Sequence, residues 1–124
     1  MDSSPPILDA RLADQWFGEG DVTDQELDRN MISALRHDVG PRLNVLQTTA
    51  DRIDPGKAVN ELHRLRGAVA SFGFTASARH LENLELNWIT LQPAGRLAAL
   101  EAAYSTFAAG VGELLRRFPH LAEP

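Results

Sequence analysis

The chain has 124 residues, 44% of them hydrophobic and 23% charged, which is the composition of one globular domain with a core of its own. Its formal net charge of −5 excludes general nucleic-acid binding, which needs a basic field. With no cysteine there is no disulfide, no thiolate nucleophile and no thiolate metal site.

Met1 to Pro6 is polar and proline-rich, and residues 1–8 are expected to form a disordered lead-in. Asp9 is placed to cap a short helix over Ala10–Phe17, with Leu12, Trp16 and Phe17 on its apolar side. Gly18 and Gly20 break that helix. Thr23-Asp24-Gln25-Glu26 has the form of a capping box, in which Thr and Glu satisfy each other's free backbone donors. It opens a stripe of Leu27, Met31, Leu35, Val39, Leu43, Leu46, Ala50 and Ile53, spaced for one helix face. Pro41 lacks the backbone donor and clashes one turn back. The stripe keeps its phase across Pro41, so the pattern predicts one kinked helix rather than two.

Asp54-Pro55 is a start signal, a capping carboxylate followed by proline at the first helical position. The helix that follows carries Ala58, Leu62, Leu65, Val69 and Phe72 and stops at Gly73. The next carries Ala78, Leu81, Leu84, Trp88 and Leu91 and ends at Gln92-Pro93. The last begins near Ala94 and carries Leu97, Leu100, Tyr104, Phe107, Val111, Leu114 and Phe118. No segment alternates with the period of a strand. The expected fold is therefore all-α, an antiparallel four-helix bundle with a short additional N-terminal helix. The bundle should span residues 9–118, and residues 119–124 should be a C-terminal tail. No apolar run is long enough to span a bilayer and no basic-then-apolar leader is seen, so the expectation is a cytoplasmic protein without membrane insertion.

Charge is unevenly spread. From Leu62 to Leu81 there are three arginines (Arg64, Arg66, Arg79) and two histidines, with no carboxylate. Such a strip suits a small anion or an acidic partner surface, although on charge alone a solvated basic face is the better explanation. Helical geometry singles out His63 within the strip. At about 100° per residue, His63 lies roughly 140° from the centre of the apolar face formed by Ala58, Leu62, Leu65 and Val69. Gly56, Val59, Asn60, Gly67 and Ala70 surround it, all small or modest in size, and Arg66 flanks it one turn on. A packing histidine would lie on the apolar stripe. An idle surface histidine would need no Gly67, which costs about 0.5–1 kcal/mol relative to alanine in a helix interior. Removing the side chain four residues after His63 opens a path for a partner to reach the imidazole.

The segment His63-Arg64-Leu65-Arg66-Gly67-Ala68-Val69-Ala70-Ser71-Phe72-Gly73 resembles the motif of the histidine-containing phosphotransfer (HPt) domain family, His-x-Leu-Lys-Gly followed by small residues and a second glycine. Leu84-Glu85 falls where that family shows Leu-Glu in the next helix, and the long preceding helix with a mid-point proline is similar too. The likeness runs from about Ile7 to Phe118. The sequence departs from the pattern at Arg66, where the family has lysine, and at Ser71, often asparagine there; arginine keeps the charge but changes its shape and donors.

The resemblance implies a phosphorelay carrier, with His63 as phosphoacceptor and Arg66 offsetting the charge of the phosphoryl group. Val59, Asn60, Arg64, Gly67, Ala70 and Ser71 would meet the partner, either a response-regulator receiver domain or a histidine kinase. A neutral imidazole is a usable nucleophile near neutral pH. The chain has no Gly-rich nucleotide loop and no Walker-type lysine, so the reading is a phosphotransfer intermediate and not a self-contained ATP-dependent kinase. No cofactor is expected on this chain; the Mg²⁺ that phosphoryl transfer needs would sit on the receiver. The same exposed strip also fits an alternative, a helical docking module that binds a receiver or kinase without carrying phosphate. His37-Asp38, or His80 with Glu82 and Glu85, match no metal motif, and no metal site is expected. His80 is read as a boundary residue, the Glu82/Glu85 pair as a solvated helix face, and Trp16, Trp88 and Tyr104 as packing or capping of the bundle end.

Overall fold

The computed structural model of the protein describes residues 5–18, 20 and 22–122, apart from the side chains of Val22 and Thr23. Among the described residues it is all-helical: α1 (Ala10–Phe17), α2 (Val22–Thr49), α3 (Pro55–Ser71), α4 (Thr75–Asn87), α5 (Pro93–Arg117) and a 3₁₀ turn at Pro119–Leu121. All of these elements contribute to a single hydrophobic core. No helix is long and apolar enough to cross a membrane.

Asp9 caps α1, its carboxylate accepting from the backbone N–H groups of Arg11 and Leu12 at 3.0 and 3.2 Å. Phe17 and Ala13 are buried, whereas Trp16 is 44% exposed. Trp16 instead lies over the end of α3, its ring 5.1 Å from that of Phe72 and its Nε1–H donating to the carbonyl of Ser71 at 2.8 Å. The α2 helix runs as one element through Pro41, as the retained phase of its stripe requires. It starts one residue before Thr23, and the expected capping box lies outside the described side chains.

The buried face of α2 is Ile32, Leu35, Val39, Leu43 and Leu46, rather than the face beginning at Leu27, which is 60% exposed. The reason lies at the far end of the chain. Asp28 and Arg29, not Leu27, face the 3₁₀ turn: His120 Nε2 is 3.4 Å from Asp28 Oδ2, and Arg29 donates to the His120 carbonyl. Leu121 in that turn is buried, so the expected C-terminal tail packs on the bundle over Pro119–Leu121. The expected lead-in is likewise tied down where it is described. Leu8 is buried, the Pro6 carbonyl accepts from Ala76 N–H at 2.9 Å, and Asp9 N–H donates to the Gly73 carbonyl at 2.7 Å.

Between α3 and α4 the chain turns at Gly73, the described residue with positive φ (+92°). Phe74 N–H bonds back to the Val69 carbonyl and Gly73 N–H to that of Ala70, the paired closure of a Schellman motif. Phe74 and Val69, which flank the motif, are both fully buried. The opposite end of the α3–α4 hairpin is held by Arg96 of α5. Its guanidinium donates to the carbonyls of Trp88 and Ala50 at 2.9 and 2.6 Å and lies 4.6 Å from the Trp88 ring centre. Asp54 caps α3 by accepting from Lys57 N–H, with Pro55 in the first turn, as the sequence pattern requires.

Candidate functional site

With Ala58, Leu62, Leu65 and Val69 facing the core, His63 stands on the outer face of α3, its side chain 62% exposed. What the local spacing does not reveal is that α4 lays two carboxylates against this face. His63 Nδ1 is 2.8 Å from Glu85 Oε1. Arg66 lies 3.3 Å from Glu82 Oε2 through Nη1 and 3.3 Å from Glu85 Oε2 through Nε. The pairs descend along α4 as they ascend along α3, so the two helices run in opposite directions here. Glu85 is only 18% exposed on its side chain, which corrects the reading of Glu82/Glu85 as a solvated helix face. The signal was present in the sequence as two matched spacings, His63/Arg66 and Glu82/Glu85, each three residues apart on consecutive helices. Recognising it needs the register between the helices, which no local window contains.

The same imidazole atom also lies 2.8 Å from Arg66 Nη2. A neutral imidazole has one N–H and one lone pair, so Nδ1 donates to Glu85 or accepts from Arg66, but not both at once. Glu85 Oε1 has His63 as its donor, while Arg66 already has Glu82 and the other oxygen of Glu85 as acceptors. The carboxylate therefore takes the proton-bearing Nδ1, and the lone pair falls on Nε2. Among the described residues Nε2 has no hydrogen-bond partner, on a side chain that is largely exposed. The result is an exposed nucleophilic nitrogen on a ring whose orientation and tautomer are set from the next helix.

An open groove runs beside the ring, lined by His63, Arg66, Gly67 and Ala70 from α3 and by Ala78, Arg79 and other residues of α4. A Cβ built on Gly67 would meet nothing within 4 Å, so no internal packing demands a glycine there. Its bare surface leaves the groove floor open beside His63. Of the other residues expected to meet a partner, Val59 is half-buried against the core and Asn60 is exposed. Arg64 sits outside this groove, 3.9 Å from Glu61, which Arg42 also holds at 2.8 Å. Ser71 is exposed, its hydroxyl donating back to the Gly67 carbonyl of its own helix at 2.8 Å. His80 is half-buried and is not among the groove residues.

A second groove lies between α2 and α5, with Arg29, Arg36, His37 and Tyr104 in its walls. There His37 Nδ1 donates to the Ser33 carbonyl of its own helix at 2.7 Å, and no carboxylate stands at hydrogen-bond distance from the ring. Among the described residues, only at His63 is an exposed histidine held by an acidic group from another helix. Among the described residues no three histidine, aspartate or glutamate side chains gather as a metal site. Comparison of the chain with protein-family models, with curated proteins and with solved structures gave no match.

Proposed function

We propose that the protein is a phosphotransfer carrier of the histidine-containing phosphotransfer type, with His63 Nε2 as its phosphoacceptor. The observation that carries this reading is the bond between Nδ1 of the exposed His63 ring and Glu85, which leaves Nε2 free. The Nε2 lone pair attacks the phosphorus of an acyl phosphate on a receiver aspartate. The P–O bond to the aspartate breaks, and its electron pair stays on the released carboxylate. The new Nε2–P bond leaves the ring positively charged with its Nδ1 proton in place, and the Glu85 carboxylate balances that charge. Reversal of these steps delivers the group to another receiver. Loading by a histidine kinase differs only in the donor's leaving group.

The chain supplies a positioned nucleophile, and Mg²⁺ would come with the receiver. An antiparallel bundle of α2 to α5, with α1 as the additional short helix, is the architecture that goes with this reading, and the opposed directions of α3 and α4 support it. Gly67 and Ala70 form the docking floor, with Val59 and Asn60 on the same side of α3. Arg66 contributes to the electrostatics mainly by holding Glu82 and Glu85 in place.

The test is incubation with a phosphorylated receiver or a histidine kinase, scored for acid-labile, base-stable phosphate on the protein. His63→Gln is expected to abolish labelling. Equal labelling of His63→Gln and the parent refutes the carrier reading. Tight receiver binding with no phosphohistidine would assign the docking module instead.

A further inference from the structure

We infer that Arg79, on the helix opposite His63, is the guanidinium that contacts the phosphoryl group carried by His63, and that Arg66 is not. The inference rests on the carrier reading and adds to it the residue that recognises the transferred anion. Three arginines make up the basic strip from Leu62 to Leu81. Arg64 lies beside Glu61, and Arg66 lies between Glu82 and Glu85. Arg79 alone of the three has no carboxylate within ion-pair distance among the described residues, and it lines the same groove as His63.

The placement follows from the register of the two helices. Arg66 pairs with Glu82, and Arg79 stands one turn before Glu82, level with the next turn of α3, where Gly67 and Ala70 lie. A Cβ built on Gly67 would meet nothing within 4 Å, so the groove that His63 and Arg79 both line is open at this point. A guanidinium already facing two carboxylates would have to give up one of them to reach the anion, whereas Arg79 gives up only water. Placed this way, Arg79 stabilises the phosphoryl oxygens both in the carrier and as the group arrives.

Phosphoramidate, a small donor that phosphorylates histidine without a protein partner, isolates this contact from docking. The parent, Arg79→Ala, Arg79→Lys and Arg66→Ala are treated with it, and phosphohistidine is followed by phosphorus NMR across a pH titration. Arg79→Ala is expected to slow loading by about three- to fivefold, the upper part of the range for one exposed charge pair. It should also raise the pH at which the bound phosphoryl dianion takes up its first proton. Arg79→Lys should restore most of both effects, and thermal stability should not change, because Arg79 has no partner to lose. Arg66→Ala should shift the phosphoryl titration less than Arg79→Ala does. Equal loading and equal phosphorus titration in the parent and Arg79→Ala overturn this inference while leaving the carrier reading intact. If the parent forms no phosphohistidine, the carrier reading and this inference fall together.

Discussion

Replacing Glu85 by glutamine removes one charge and almost no volume, which makes it a direct probe of how His63 is prepared. In the parent, Glu85 Oε1 takes the Nδ1 proton at 2.8 Å, and its other oxygen faces Arg66 Nε at 3.3 Å. A hydrogen bond to a charged group contributes about 1.5–3 kcal/mol when sheltered. The His63 side chain is 62% exposed, so solvent screening brings the expected value down to about 1 kcal/mol. That corresponds to roughly a fivefold change in the ratio of the two neutral tautomers. The direction is fixed by Arg66, which in Glu85→Gln loses one acceptor and is freer to donate to Nδ1 from its 2.8 Å position. The fraction of rings with the lone pair on Nε2 then falls. Long-range proton–nitrogen NMR of the His63 ring should report the shift toward the Nε2–H form. Phosphoramidate loading should slow by a similar factor, with stability changed by less than about 1 kcal/mol. An unchanged tautomer ratio together with an unchanged loading rate would refute the assignment of Glu85 as the positioning residue.

Gly67→Ala should stabilise the protein by about 0.5–1 kcal/mol in a denaturant titration, because the added methyl meets nothing and the helix gains propensity. Gly67→Leu should transfer poorly to a receiver, since it obstructs the groove beside the ring; parental transfer would show that Gly67 has no role in access. Gly73→Ala should lower stability by about 1–2 kcal/mol, because residue 73 sits at φ +92° and its Cβ would lie 3.1 Å from the Asp9 carbonyl oxygen. A melting temperature equal to the parent's would contradict that account of the turn.

Much of the helical order is readable from local chemistry. Asp9, Asp54-Pro55 and Gly73 mark element ends through caps and blocked donors, effects confined to one turn of chain. By contrast, α4 stops at Asn87, short of the expected end at Gln92-Pro93, which opens α5 instead. The phase of α2 was misjudged at its start because Leu27 and Ile32 are equally apolar. Their burial is decided by a turn nearly a hundred residues later, where His120 meets Asp28. Trp16 reads by type as packing or capping the bundle end, and its bond to the Ser71 carbonyl and its contact with the Phe72 ring explain its exposed place over the end of α3. At the site, the outward angle of His63 and the open side of Gly67 follow from the helix period. The acidic hold on the ring and the neutralisation of Arg66 do not, because both depend on how α4 is registered against α3.

The pinning of the α3–α4 hairpin at its two ends bears on the speed of encounter. Near Gly73 the hairpin is tied to the chain before α1 through Asp9 and Pro6, and near Trp88 it is tied to α2 and α5 through Arg96. His63 and Glu85 lie between these ties, on helical backbone rather than on loops. A partner arriving at this face has little backbone to order, so the entropic cost of association falls mainly on a few exposed side chains. Short-lived complexes can then form and separate quickly without a conformational step setting the pace, which suits a carrier that must visit one partner, leave, and visit another.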